Sequence, residues 1–193
     1  MGTTRVTNHR YRTYTELEDR LHNHVDNLFN TYSKLLLLRM DLSYRKYSTV
    51  FNEQDIHGLC ADMSQLEYAM KNLTGIAGYS WAAEYGEDHR HHVHVAIFIN
   101  GQKRNKPWAL FKEIRNLWDE VTLGEGNAYR CVPNVFYENK SEKVITWDNR
   151  KGRDEMKYII SYMAKCEQKP YGDISRISTV AESTRRGRSR SHC

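Results

Sequence analysis

The sequence predicts an α+β fold, with helices interspersed among the strands of an antiparallel sheet. Two observations predict it. Apolar residues recur at helical spacing in several segments, and the segments between them are short apolar or alternating runs that end at glycine or polar turns. The 193 residues, 39% of them hydrophobic, suit one globular domain with a genuine core.

A polar arm (Met1 to Tyr14) precedes a helix near Thr15 to Tyr32, which carries Leu17, Leu21, Val25, Leu28 and Phe29 on one face. A strand follows at Lys34 to Leu42, and its four consecutive leucines suggest a central position covered on both sides. Arg39 and Asp41 share one face of it, where they either approach a site or pair with each other; pairing is the favoured expectation, since a neighbouring carboxylate and guanidinium commonly satisfy one another. A second helix is expected over Cys60 to Asn72, and a strand over Gly78 to Gly86. After a further strand through Ile99, Pro107 opens a helix reaching about Val121, with Trp108, Phe111, Leu117 and Trp118 available for packing. Val132 to Tyr137 and Lys143 to Trp147 look like a late hairpin, and Arg153 to Glu167 reads as the last helix. The motif-bearing core covers about 34–168 of a single domain over 1–182, and a basic tail occupies 183–193.

Chemistry concentrates in two segments. The first is Glu84-Tyr-Gly-Glu-Asp-His-Arg-His-His-Val-His94, running on into Val95-Ala-Ile-Phe-Ile99. Strand side chains alternate between faces, so His92 and His94 point one way while Val93, Val95, Ile97 and Ile99 point the other. The apolar face can anchor the strand, leaving two imidazoles on the opposite side. A cation held there needs more ligands, and a carboxylate suits a hard or borderline ion such as Mg²⁺ or Mn²⁺. Glu84 is the natural candidate, because the polar turn Glu87 to His91 can fold it back beside His92. A bare His-x-His is more often a solvated pair, but the glutamate and the apolar strand reverse that balance. His89 and His91 lack such context and are expected to be turn residues.

The second segment is Tyr158-Ile-Ile-Ser-Tyr162-Met-Ala-Lys165. At about 100° per residue, Tyr158, Tyr162 and Lys165 fall on one stripe, opposite Met156, Ile159, Ile160 and Met163. A phenol ionises near pH ~10, so as a nucleophile it needs a base or an environment that stabilises the phenolate. Lys165 can supply that charge. A metal held by His92, His94 and Glu84 would polarise a scissile phosphate and fix it for in-line attack. The expected product is a phosphotyrosine-linked strand with a free 3′ hydroxyl.

On these residues the chain resembles the HUH endonucleases: His92-Val93-His94 is similar to their His-hydrophobe-His motif, and Tyr162-Met-Ala-Lys165 to their Tyr-x-x-Lys motif. The nearer resemblance is to replication initiators of the filamentous-phage (inovirus) type, found in prophages and phage satellites. It is carried by Leu35 to Tyr44, Trp81 to His94 and Ser161 to Lys165, in the expected order. The resemblance implies a ferredoxin-like or RRM-like palm with the metal site on an open face. It also implies a rolling-circle initiator that nicks single-stranded DNA at an origin hairpin, stays attached to the 5′ end and later rejoins the strand. Roles carried over by position make Tyr162 the primary nucleophile, His92, His94 and Glu84 the metal ligands, and Lys165 the helper. Tyr158 is implied as a second nucleophile only where two tyrosines act in turn, and its role stays open.

A chain of this size has room for a nickase and none for a helicase, so host helicase and polymerase would act in trans. The net charge is +5, but Arg185, Arg186, Arg188 and Arg190 account for four of those charges, leaving the remainder near neutral. DNA affinity is therefore expected from local basic patches and that tail, which tracks phosphates without reading sequence. Tyr85, Trp81 and Trp147 are candidates to stack on bases, although aromatics beside strands are core residues more often than stacking platforms. Cys60, Cys131, Cys166 and Cys193 are scattered, which argues against a structural zinc or a disulfide framework and for the cytoplasm. No run approaches membrane-spanning length. The rival uses are a plasmid-mobilisation relaxase, an HUH transposase, or a non-catalytic DNA-binding phage regulator.

Overall fold

Leu35, Leu36, Leu37 and Leu38 are wholly buried, and they show how the molecule is layered. Leu36 and Leu38 enter one apolar cluster and Leu35 and Leu37 another, because a strand that alternates its side chains and is apolar on both faces must be covered on both. The structure, a computed structural model, describes residues 11–132 and 142–180. Most of the polar arm, residues 133–137 of the expected hairpin, and the arginine tail lie outside the described residues.

The elements are α1 (Thr15–Thr31), β1 (Lys34–Tyr44), α2 (Thr49–Glu53), α3 (Ile56–Met70), β2 (Ile76–Gly86), β3 (Arg90–Asn100), α4 (Trp108–Val121), β4 (Gly126–Arg130), β5 (Val144–Thr146), α5 (Arg150–Ser161) and β6 (Ser175–Ile177). Six strands form one antiparallel sheet in the order β4-β1-β3-β2-β6, with β5 pairing β1 further along the edge that β4 occupies. The α+β architecture is as expected and is compatible with a ferredoxin-like palm. No helix among the described residues is long and apolar enough to cross a membrane.

On one face Leu36, Leu38, Met40, Leu42, Val93, Val95, Ile97 and Ile99 pack against α3 and α4, through Leu59, Met63, Leu66, Leu110, Ile114 and Trp118. On the other, Leu35, Leu37, Ala96 and Phe98 meet Leu17, Leu21, Val25 and Leu28 of α1 and Met156 and Ile160 of α5. The open face implied by the resemblance is thus half closed. Helices cover the end of the sheet that carries Leu35 and Phe98, and Asp41, Glu84, His92 and His94 lie beyond them toward the other end.

Several boundaries move for identifiable reasons. The Asp55 carboxylate accepts the Gly58 N–H at 2.8 Å, so α3 begins at Ile56 instead of Cys60. Asn149 caps α5 likewise, accepting from the Gly152 N–H at 2.9 Å, and the helix begins at Arg150 instead of Arg153. Val144–Thr146 is a strand, but it pairs with Lys34–Leu36 of β1. Trp108 is half exposed, so of the four aromatic and apolar residues expected to pack from α4 it contributes least.

Candidate metal centre and nucleophile

A short polar turn at 87–89 closes β2 onto β3 and sets the register Glu84 opposite His92 and Ala82 opposite His94. Residues opposite each other on antiparallel strands project from the same face. Glu84, His92 and His94 therefore converge, with Glu84 Oε2 at 3.0 Å from His94 Nε2 and 3.7 Å from His92 Nε2. The ligand atoms of all three lie within 4.8 Å of one another. The expected ligand set is brought together.

The far side of each imidazole is also occupied. His92 Nδ1–H donates to the Arg90 carbonyl at 3.0 Å, and His94 Nδ1–H to Asp41 Oδ1 at 2.5 Å. Both bonds occupy Nδ1 and leave Nε2 directed at Glu84, where His94 donates its second N–H to Oε2 and where a metal ion would replace that proton, which is the orientation a metal-binding histidine needs. Asp41 reaches His94 because β1 pairs β3 with these two residues opposite. The expected Arg39–Asp41 pair is therefore corrected: Asp41 is taken by His94, and the Arg39 guanidinium lies 5.7 Å from the centre of the Tyr162 ring. The pairing preference failed because both residues face the site across a neighbouring strand that supplies a closer partner.

Burial alone would raise the pKa of Glu84, but the imidazoles of His92 and His94 and the Lys165 ammonium hold it well below the usual carboxylate range. Burial opposes charge on His94, yet its bonds to Asp41 and Glu84 outweigh that and push its pKa up. Asp41 is held down against its own desolvation by His94. The cluster is thus built around stable negative charge.

Lys165 ties this cluster to the tyrosine. Its Nζ donates to Glu84 Oε2 at 2.8 Å, to Tyr162 Oη at 2.6 Å and to Gln168 Oε1 at 2.9 Å. The Tyr162 ring stands edge-on to His94, with ring centres 5.3 Å apart, and edge-on to Tyr11 at the same distance. The route to this geometry differs from the expected one. The helix of Arg153 to Glu167 ends at Ser161, Tyr162–Ala164 form a 3₁₀ turn, and Lys165 is extended. The N-terminal segment captures the chain there: the Tyr14 N–H donates to the Ala164 carbonyl at 2.7 Å and the Cys166 N–H to the Arg12 carbonyl at 2.8 Å. Tyr158 is left on α5, and no hydrogen bond or ring contact among the described residues joins its side chain to the cluster.

Lys169 was not anticipated. Its buried ammonium lies 3.6 Å from Glu84 Oε1 and donates to the Ala83 carbonyl at 3.3 Å, and burial lowers its pKa. Lying past the helix in an aperiodic segment, it offered only its four-residue spacing from Lys165. His91 is also corrected. It is a buried strand residue whose Nδ1 lies 2.9 Å from the Gln54 carbonyl and whose ring stacks on Tyr171, whereas His89 occupies the turn as expected. The signal was available, since His91 shares the parity of Val93 to Ile99. Trp81 and Tyr85 have that parity relation on β2 and lie on the face away from the cluster. Trp81 is buried with Nε1 donating to Glu67 at 2.6 Å, and Tyr85 stands edge-on to His91, so neither is a platform beside the site. Trp147 packs partly buried against the α1 and α5 side of the core.

Two imidazole nitrogens and a carboxylate oxygen suit a divalent ion, while the other oxygen of the same carboxylate, Glu84 Oε1, faces the Lys169 ammonium at 3.6 Å. The chemistry of this donor set fits a metal. Together the residues offer a group able to hold a metal ion beside a phenol that is hydrogen-bonded to an ammonium.

The family model for the YagK/YfjJ C-terminal domain matches residues 1–177 of the chain. The chain belongs to that family. The whole described site, from Tyr11 to Lys169, lies inside the matched span of this YagK/YfjJ C-terminal domain. No curated protein and no solved structure is matched by the chain.

Proposed function

We propose that this YagK/YfjJ C-terminal domain is an HUH-type nickase of single-stranded DNA that initiates rolling-circle replication at an origin hairpin, with host helicase and polymerase acting in trans. One observation carries the reading: the Lys165 ammonium joins the Tyr162 hydroxyl at 2.6 Å to the Glu84 carboxylate at 2.8 Å, so nucleophile and metal-ligand cluster are a single unit.

In this reading Tyr162 Oη attacks the scissile phosphorus, the bond from phosphorus to the 3′ oxygen breaks, and the 5′ phosphate becomes linked to Tyr162. The phenolic proton leaves to water and the departing 3′ oxygen takes one from water. Lys165 stabilises the phenolate through its hydrogen bond and holds its oxygen in place. The edge-on ring of His94 and the guanidinium of Arg39 fix the plane of the tyrosine. A divalent ion, Mg²⁺ or Mn²⁺, held by Glu84, His92 and His94 would supply Lewis-acid stabilisation of charge on the phosphate oxygens. Attack by a 3′ hydroxyl on the phosphotyrosine reverses the chemistry and rejoins strands without an external energy source.

The test is a denaturing gel. The protein is incubated with Mn²⁺ and a labelled pool of randomised single-stranded oligonucleotides, and the expected result is a covalent adduct in wild type that Tyr162→Phe abolishes. An adduct of equal yield in Tyr162→Phe, or none in wild type, overturns the reading.

A further inference from the structure

Tyr129 is 64% exposed, and it lies on a strand. Strand aromatics normally bury their rings against the sheet's own core, and this one has no ring contact among the described residues. Its position relative to the cluster follows from register alone. Asp41 pairs with His94 on one side and with Tyr129 on the other, so Ala82, His94, Asp41 and Tyr129 form one row across four strands. Members of such a row project from the same face. Ala128 and Arg130, with the other parity, turn toward α4: Ala128 packs against the apolar core on the α3 and α4 side, and the Arg130 guanidinium lies 5.3 Å from the Trp108 ring centre.

Neighbouring strands are about 4.8 Å apart, which puts the Tyr129 backbone roughly 10 Å from that of His94. Asn127, also exposed, follows on the same face and its Nδ2 donates to Ser43 Oγ at 3.4 Å. Arg39, two residues before Asp41, shares this face; its guanidinium sits near the Tyr162 ring and makes no ion pair among the described residues. The acidic member of the row, Asp41, is already engaged by His94. A cation next to the nucleophile that makes no ion pair among the described residues and an exposed aromatic one strand further out match the alternation of phosphate and base in a single strand.

We infer that the β4 end of the sheet is the track for single-stranded DNA at this site, with Arg39 holding a phosphate beside Tyr162 and Tyr129 stacking a base of an adjoining nucleotide. This rests on single-stranded DNA being the substrate. It assigns Tyr129 and Arg39 as substrate-binding residues and gives the strand a direction, from the cluster over β1 toward β4.

Binding is tested by fluorescence anisotropy with a labelled pool of randomised single-stranded oligonucleotides and the full chain, without added metal so that cleavage plays no part. Tyr129→Ala is expected to weaken binding about tenfold or more, Tyr129→Phe to retain it, and Tyr68→Ala, exposed on α3 on the opposite side of the sheet, to leave it unchanged. Arg39→Met is expected to reduce the slope of log affinity against log salt by about 0.7. Thermal melts of the variants show whether any loss comes from unfolding. If Tyr129→Ala binds like wild type, or Tyr129→Phe fails as Ala does, the stacking assignment is overturned, whatever the adduct gel shows. If the tyrosine dependence holds while no adduct forms, the track stands and the nickase reading fails. No binding by wild type overturns both.

Discussion

Lys165 uses its three donors on three different acceptors, Glu84, Tyr162 and Gln168, and each contact asks something different of it. Replacing it by methionine removes the phenolate's partner and leaves the Glu84 carboxylate with less compensation. Adduct formation by Lys165→Met is expected to slow by about 10²- to 10³-fold, the scale of losing one charge-stabilising donor, in a single-turnover gel assay. Asp41 acts one step further out, through His94. Asp41→Ala is expected to weaken Mn²⁺ binding by about 10- to 100-fold, read by calorimetric titration. Tyr158→Phe is expected to leave the first nick unchanged, because no hydrogen bond or ring contact among the described residues joins its side chain to the cluster. Glu84, His92 and His94 were legible because a tight hairpin and a period of two determine which side chains meet. Lys169 was not, and Asp41 was legible only as sharing a face with Arg39 that could approach a site, since its partner His94 follows from a β1–β3 pairing that depends on distant parts of the chain.

Among elements, the strands with continuous apolar runs and the amphipathic helices were readable, while those defined by tertiary capture were not. The end of α5 is the clearest case. Nothing between Arg153 and Glu167 breaks a helix locally, yet residues 12 to 14 pair with the chain around Lys165 and hold it extended. That interruption is what turns the lysine toward both Glu84 and Tyr162. Strand β4 was missed because its five residues contain glycine and asparagine and show no apolar alternation. Its Gly126 lies against α4, where an added Cβ would stand 2.4 Å from Thr122 Oγ1 and 2.7 Å from the Trp118 ring. Trp118 is fully buried and cannot give way. Gly126→Ala is therefore expected to cost about 1–3 kcal/mol by overpacking, measured by urea unfolding.

For the molecule as a whole, the α1 side of the core carries a latent acid sensitivity. His24 is buried, its ring edge-on to Phe98 with centres 5.3 Å apart, and burial lowers its pKa to about 4. The unfolded chain takes up this proton near the ordinary value of about 6.5, before the folded one does. Stability is therefore full above that pH, falls as the pH drops from about 6.5 toward 4, and loses no more from this group below it. The loss by pH 4 is about 3 kcal/mol. His24→Leu is expected to flatten the unfolding free energy over that interval by this amount relative to wild type; an unchanged pH slope would show that the histidine is not held neutral.

The central claim is that Tyr162 is the group that becomes bonded to DNA, and tandem mass spectrometry of the trypsin- and nuclease-treated adduct tests it most directly. The account predicts a deoxynucleoside phosphate on Tyr162. A modification on Tyr158 instead, or on any other residue, would contradict it.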